Sequence, residues 1–300
     1  MHAMMLVVTI CWASNIIAGK EALRRFNPLA LTQLRLLGAA ILFGSGFLAS
    51  GRLQRLRLSR RDWLYFLSMA ATGIALNQLT FIGGMAYTTV ANTGLIVALG
   101  PVVVLVIAVS IGLEALTSWK LAGMLLAFAG VGVLTIDRSG AGGPPNHWVG
   151  DLIMVASTSV FAVYTVLMKK VANAFDGLTL NTLNFVLGAA MTAPFCARAV
   201  LRTDWATIDL KAWCGLAFLV LFGSVFSYLL FAHVLTELAA SRVAAFNYLQ
   251  PVIASGLGVW LLAERLTSKV LVGGGLILLG VYLAERERGE VVASGDLMAD

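Results

Sequence analysis

Long runs of apolar residues fill most of the chain, and short segments rich in polar and turn-forming residues separate them. A helix needs roughly 17 to 25 apolar residues to cross a hydrocarbon layer of about 30 Å. Ten such runs follow one another, at about residues 3–20, 29–50, 63–84, 90–112, 119–136, 150–170, 179–200, 213–233, 241–262 and 269–285. The pattern predicts an all-α integral membrane protein with ten transmembrane helices.

Composition agrees with a membrane protein, since 59% of the residues are hydrophobic and only 12% are charged. The segments between the runs leave no room for a separate soluble domain. The polar residues 287–300 are expected to form a disordered cytoplasmic tail. Cys11, Cys196 and Cys214 lie in or beside apolar runs without paired or ligand spacing, so neither a disulfide nor a metal site is predicted.

The net charge of +6 comes from basic residues that flank the apolar runs rather than share one soluble face, which argues against a nucleic-acid partner. Between the second and third runs stand Arg52, Arg55, Arg57, Arg60 and Arg61. A basic cluster early in a membrane protein is typical of a cytoplasmic loop. We therefore expect a multi-pass protein of the bacterial inner membrane, with both termini in the cytoplasm.

The chain also resembles itself at an offset of 150 residues. Uncommon residues coincide without a gap: Trp63 with Trp213, Pro101 with Pro251, Glu114 with Glu264 and Thr117 with Thr267. The matches indicate a duplication, with a first repeat at 1–137, a linker at 138–148 and a second repeat at 149–286. Each repeat has five predicted crossings, an odd number, so the second repeat enters the membrane from the opposite side. Inverted repeats of this kind support alternating access.

The repeated block has a recognisable form in residues 100–132 and 250–280: a Pro, about a dozen apolar residues, Glu-x-Leu-Thr and a Gly-rich last helix. It resembles the paired EamA domains of the drug/metabolite transporter superfamily, over about residues 5–286. The length, the start Trp12-Ala13-Ser14-Asn15 and the ten-helix layout resemble the YddG-type exporters of aromatic and other neutral amino acids. The resemblance implies a secondary transporter of small molecules.

Prolines at matching depths of the two repeats are the first candidates for a substrate site. In a helix interior, Pro101 and Pro251 would free the carbonyls of Val97 and Asn247. Interrupted helices at matching positions of inverted repeats favour a transport site there. The alternative is a kink that only shapes the packing.

Polar and aromatic side chains inside the runs are the second group of candidates, because amides and hydroxyls are costly when they face lipid. Asn77 and Phe81 share one helix face with Gly73, and Gly223, Ser227 and Phe231 repeat that spacing. The predicted substrate-binding residues are Trp12, Asn15, Asn77, Gln78, Phe81, Pro101, Tyr164, Tyr228, Asn247, Tyr248, Gln250 and Pro251. Helix-to-helix hydrogen bonding is the alternative role for each polar member.

Charged residues within the runs are few. Arg35 has to reach the membrane surface, pair with a polar group or line the cavity, and the long side chain favours the surface. Glu114 and Glu264 are expected to build loops. The tryptophans near the ends of the apolar runs are expected to anchor the protein at the membrane interface, namely Trp63, Trp119, Trp148, Trp205 and Trp213. His233, with Glu237 after it, is the candidate for proton coupling. Facilitated export and proton exchange both stay open.

The side-chain chemistry predicts a neutral or zwitterionic substrate, and the family resemblance narrows it to amino acids. An intramembrane enzyme is excluded because three histidines and no deeply placed acid cannot form a catalytic set. A pore and an exporter of other metabolites or drugs, such as nucleosides or organic cations, remain alternatives. No cofactor is predicted, and the protein is expected to act as a monomer.

Overall fold

The computed structural model describes residues 1–88, 93, 96–135, 147–250, 252–253 and 268–286, and the regular structure of these residues is helical. The helices are α1 (His2–Ala22), α2 (Pro28–Ala49), α3 (Arg60–Tyr87), α4 (Gly100–Ser110), α5 (Ser118–Thr135), α6 (His147–Val171), α7 (Gly177–Leu201), α8 (Leu210–Glu237), α9 (Ala240–Ala245) and α10 (Ser268–Arg286). Six of them, α1, α2, α3, α6, α7 and α8, are long and apolar enough to cross a membrane. The all-helical membrane fold is therefore confirmed.

Polar residues between the apolar runs begin the helices. The Asn27 carboxamide accepts a hydrogen bond from the backbone of α2 at 2.9 Å, and Ser59 and Asp62 form a capping box at the start of α3. Asp209, which matches Ser59 at the repeat offset, accepts from the Ala212 N–H at 2.9 Å. That backbone bond is the largest cause of the lowered pKa of the Asp209 carboxyl.

The helices pack in a pattern that is unchanged when the two repeats are exchanged. The most extensive contacts join α5 to α10, α2 to α7, α3 to α6 and α1 to α8. Helix α2 matches α7 and α5 matches α10, so those two pairs map onto themselves. The α3 and α6 pair maps onto the α8 and α1 pair. The packing thus has the two-fold relation expected of two copies of one five-helix unit.

Glycines allow α5 and α10 to approach closely, and they do so symmetrically. A Cβ atom at Gly130 would lie 2.7 Å from the Gly273 carbonyl oxygen, and one at Gly280 would lie 2.6 Å from the Gly123 carbonyl oxygen. Gly123 matches Gly273 and Gly130 matches Gly280 at the repeat offset. At these glycines the backbones of α5 and α10 lie against each other, which leaves no room for even a methyl group.

The fourth predicted helix is interrupted just before Pro101, since residues 96–97 are helical and the helix does not continue through residues 98–99. Residues 98–99 form a turn, and α4 begins at Gly100 with Pro101 in its first turn. The missing N–H of a proline costs nothing there because the first N–H groups of a helix have no intrahelical partner. Pro251, the linker 138–146 and the tail 287–300 lie outside the described residues.

We predict that Gly130→Ala and Gly280→Ala each lower the stability of the protein by about 1 to 3 kcal/mol, because the new methyl group meets backbone atoms. The midpoint of thermal unfolding in detergent would fall accordingly. Gly132→Ala is the matched control in the same helix, since a Cβ atom there meets nothing within 4 Å. Equal midpoints for Gly130→Ala and Gly132→Ala would contradict the close approach of α5 and α10.

Candidate functional site

A cavity of about 90 Å³ lies between α1, α2, α3, α4, α6, α8 and α9. Most of the predicted site residues line it, namely Trp12, Asn15, Asn77, Gln78, Phe81, Tyr228, Asn247 and Gln250. The structure adds residues that the sequence prediction did not include, among them Arg35, Ser157, Thr158, Phe161, Thr165 and Phe231. The cavity is therefore the candidate functional site.

Three other predicted residues lie near the cavity without lining it. Pro101 is buried next to Gly100, which lines the wall. Tyr164 is buried behind the aromatic residues, with its ring 5.5 Å from Phe161 and 6.2 Å from Tyr228. Tyr248 is also fully buried. None of the three is among the residues that line the cavity, and their role in substrate binding stays a prediction.

The cavity is lined by matched positions of the two repeats. At the offset of 150 residues, six matched pairs contribute both members to its wall: Trp12 and Ala162, Asn15 and Thr165, Gln78 and Tyr228, Phe81 and Phe231, Val97 and Asn247, Gly100 and Gln250. Only one of these pairs consists of identical residues. The wall is thus symmetric in backbone position and asymmetric in chemistry.

Helices α3 and α8 each contain a π-helical segment at the same place in the repeat, Ala70–Leu76 and Leu221–Phe226. A π turn is wider than an α turn and leaves backbone carbonyls without their usual partners, and it is frequent at functional sites. The cavity residues Asn77, Gln78 and Tyr228 follow these segments directly. Sequence reasoning missed the π segments, because their apolar residues resemble those of any buried α-helix.

Two hydrogen-bonded pairs fix the amides of α3. The Asn77 amide donates to the Ser157 carbonyl and hydroxyl oxygens, both at 3.1 Å, and thereby joins α3 to α6. The Gln78 amide donates to the Tyr228 hydroxyl at 3.1 Å and joins the two matched positions of the repeats across the cavity wall. These amides therefore have a structural bond as well as a place in the wall.

Aromatic rings form one side of the cavity around Trp12. The Trp12 ring centroid lies 5.7 Å from Phe161, 5.3 Å from Phe231 and 6.0 Å from Tyr228, in tilted and edge-on arrangements. Such a cluster gives a rigid apolar surface whose ring faces also attract cations. It suits an apolar or aromatic substrate group.

Arg35 does not extend to the membrane surface, so that expectation was wrong. Its side chain is 2% exposed, and it lines the cavity. The Arg35 Nε donates to the Ser224 hydroxyl at 2.9 Å and Nη2 donates to the Gly223 carbonyl oxygen at 3.1 Å. Both partners lie in the π segment of α8.

His233, the candidate for proton coupling, is exposed and is not part of the cavity wall, and Glu237 is exposed as well. Within the described ranges, no three His, Cys, Asp or Glu side chains come together as metal ligands would. The tryptophans expected at the interface, Trp63, Trp119, Trp148, Trp205 and Trp213, are all exposed on the outside of the helices.

Glu114, expected to build a loop, joins the two repeats. Its carboxylate accepts from Lys120 Nζ at 2.9 Å and from the Ser241 backbone N–H at 3.0 Å, and the Ser241 hydroxyl donates to it as well. The side chains of Lys120 and Glu114 are only 3% and 6% exposed. The contact ties the end of α4 to the start of α9.

We predict that Glu114→Ala destabilises the protein by about 3 to 5 kcal/mol, because it leaves the Lys120 ammonium buried without its partner. Glu21→Ala removes the exposed Arg24 pair and is the control, with an expected loss below about 1 kcal/mol. Unfolding in detergent, followed by circular dichroism, measures both. A Glu114→Ala protein as stable as the control would refute the structural role of the contact.

The fold and the cavity define a multi-pass membrane protein with a polar and aromatic cavity between two repeats, the architecture of a transporter. The chain belongs to the EamA-like transporter family, whose model matches residues 1–136 and 148–285. It is 28% identical to an uncharacterized transporter of Archaeoglobus fulgidus, over 92% of this chain and 95% of that protein.

Two further comparisons bear on the site and the fold. The chain is 25% identical to a probable terminal-alkyne amino-acid exporter of Streptantibioticus cattleyicolor, over 94% of this chain and 92% of that protein. A solved crystal structure superposes with a TM-score of 0.76 at 18% identity, over 95% of this chain and 96% of its own. At that identity the second comparison supports the fold alone.

Proposed function

We propose that this protein exports amino acids, aromatic and other neutral ones, across the bacterial inner membrane by alternating access. The observation that carries the proposal is the cavity wall, which combines an aromatic cluster around Trp12 with the amides of Asn15, Gln78 and Asn247. A small molecule with an apolar part and a polar part fits a wall of that kind.

The polar groups of the wall favour a substrate without net charge. The amides can bind either an ammonium or a carboxylate, and the aromatic faces attract an ammonium. Among the described lining residues, Arg35 is the only charged one. One cation would not balance a multiply charged anion such as a phosphate ester, whereas it suits a zwitterion with a single carboxylate.

The two-fold packing supports the proposed mechanism. Because the cavity lies where matched positions of the repeats meet, exchanging the conformations of the repeats would open it to one side and then to the other. The name of the Streptantibioticus cattleyicolor protein agrees with amino-acid export by a member of this family. Both termini would lie in the cytoplasm.

Counterflow in proteoliposomes tests the function. Vesicles loaded with unlabelled L-phenylalanine or L-leucine should accelerate the entry of the labelled amino acid, and the uptake should saturate. Linear uptake without counterflow would favour a pore. Counterflow with nucleosides or organic cations but with no amino acid would favour the broader drug and metabolite assignment and refute ours.

The aromatic cluster gives a sharper prediction for the same assay. Trp12→Ala should raise the half-saturating concentration of L-phenylalanine about tenfold, because a ring in van der Waals contact with the substrate is lost. Trp213→Ala is the matched control, since Trp213 lies on the outside, next to Trp205. A half-saturating concentration that changes equally in both variants would argue against the cavity as the binding site.

Energy coupling is tested separately. His233 is exposed and lies outside the cavity wall, so we expect His233→Ala to leave substrate-driven pH changes in proteoliposomes as they are in the wild type. If the wild type moves protons with its substrate and His233→Ala abolishes that movement, the histidine couples transport to protons. If neither protein changes the internal pH, export follows the solute gradient alone.

A further inference from the structure

We propose that Arg35 binds the substrate carboxylate through Nη1, the guanidinium nitrogen that the protein leaves free, and that the substrate is a zwitterionic α-amino acid with a large apolar side chain. The inference rests on the proposed function and names the group that recognises one end of the substrate. It depends on the placement of Arg35 in the cavity wall and on unpaired atoms around it.

Two nitrogens of the guanidinium have partners in the protein and the third has none. Nε and Nη2 bond to Ser224 and Gly223 and hold the group in place, while Nη1 is buried without a hydrogen-bond partner. Arg35 is 2% exposed and lines the cavity. A guanidinium that is already oriented by two bonds presents its remaining N–H groups to a ligand with little entropy to lose.

The charge of Arg35 has no counter-charge on the described part of the chain. The ion pairs there join other residues, and among the described residues no Asp or Glu lines the cavity. A buried and unpaired cation is strongly unfavourable inside a membrane protein, which is why such residues mark substrate paths. A carboxylate entering the cavity would supply the missing negative charge.

The repeat shows that the fold itself does not need a cation at this place. At the offset of 150 residues Arg35 matches Phe185, which packs on Phe43 at 5.1 Å and Tyr228 at 5.0 Å between ring centroids. Helices α2 and α7 pack alike although one carries a guanidinium and the other a phenyl ring. Arg35 is therefore a departure from the symmetry, located in the cavity wall.

Acceptor atoms in the same wall complete the recognition of a zwitterion. Asn15 Oδ1 and Gln78 Oε1 are buried without hydrogen-bond partners, and both residues line the cavity. Asn15 packs against Gly223, the residue whose carbonyl oxygen also accepts from Arg35. Two free acceptors suit the substrate ammonium, and the rings around Trp12 suit its apolar side chain.

Binding of a ligand series to purified protein in detergent, measured by calorimetry, tests the inference. The series is L-phenylalanine, L-phenylalaninamide without the carboxylate, and 3-phenylpropionate without the ammonium. The wild type should bind L-phenylalanine about 10- to 100-fold more tightly than the amide, the range for a hydrogen bond between charged groups. In Arg35→Gln, which can still donate to Gly223, that preference should fall below about threefold.

Arg35→Lys keeps the charge without the forked donors and should retain part of the preference. If Arg35 had a structural role alone, Arg35→Gln would lower the affinity for all three ligands equally and leave the preference for the carboxylate unchanged. That result would overturn the inference. A wild type that binds the amide as tightly as the amino acid would overturn it without any variant, even if Arg35→Gln does not fold. If chloride displaced 3-phenylpropionate from the protein as strongly as L-phenylalanine does, Arg35 would form a simple anion site instead.

The failure of the inference and that of the proposed function give different results. If the wild type binds amino acids and their amides alike and performs counterflow, the transport function stands and the role of Arg35 falls. If it neither binds nor exchanges any amino acid, both fall.

Discussion

A backbone inside a bilayer has to satisfy its hydrogen-bonding groups within the protein, and this constraint shapes both the helices and the cavity. Where a helix ends, another helix supplies a donor: Lys20 Nζ bonds to the Thr88 carbonyl oxygen at 2.9 Å, and Lys169 Nζ bonds to that of Leu235 at 2.7 Å. In the π segment of α8, the Gly223 carbonyl oxygen accepts a hydrogen bond from Arg35. The helix contacts thus include a cation in the interior.

The cavity exists because the repeats share a backbone and differ in side chains. Gly73 and Gly223 occupy the same place in the two π segments, and the first packs against Tyr164 while the second packs against Asn15. The two repeats place matched backbone positions around the cavity, and the side chains at those positions differ between the repeats. An asymmetric wall of this kind can hold a polar substrate with two unlike ends in a single orientation.

The sequence allowed the helices, the repeat and much of the cavity wall to be predicted, because apolar length and polar side chains inside apolar runs are local signals. The π segments and the direction of the Arg35 side chain depend on contacts between helices, which hydropathy does not describe. The interruption next to Pro101 could be predicted, but not that Pro101 lies in the first turn of α4, because a proline in the first turn and one in a helix interior look the same in the sequence.

The contact between the repeats at Glu114 has a consequence for the proposed alternating access. Its carboxylate bonds to the backbone and hydroxyl of Ser241, but the residue that matches Ser241 in the first repeat is Ala91, which has no hydroxyl. Exchanging the conformations of the repeats therefore cannot reproduce the hydroxyl bond of this contact, although the backbone N–H of Ala91 could still donate. The two end states of a symmetric fold would differ in free energy, and a substrate that binds them unequally could shift the balance between them.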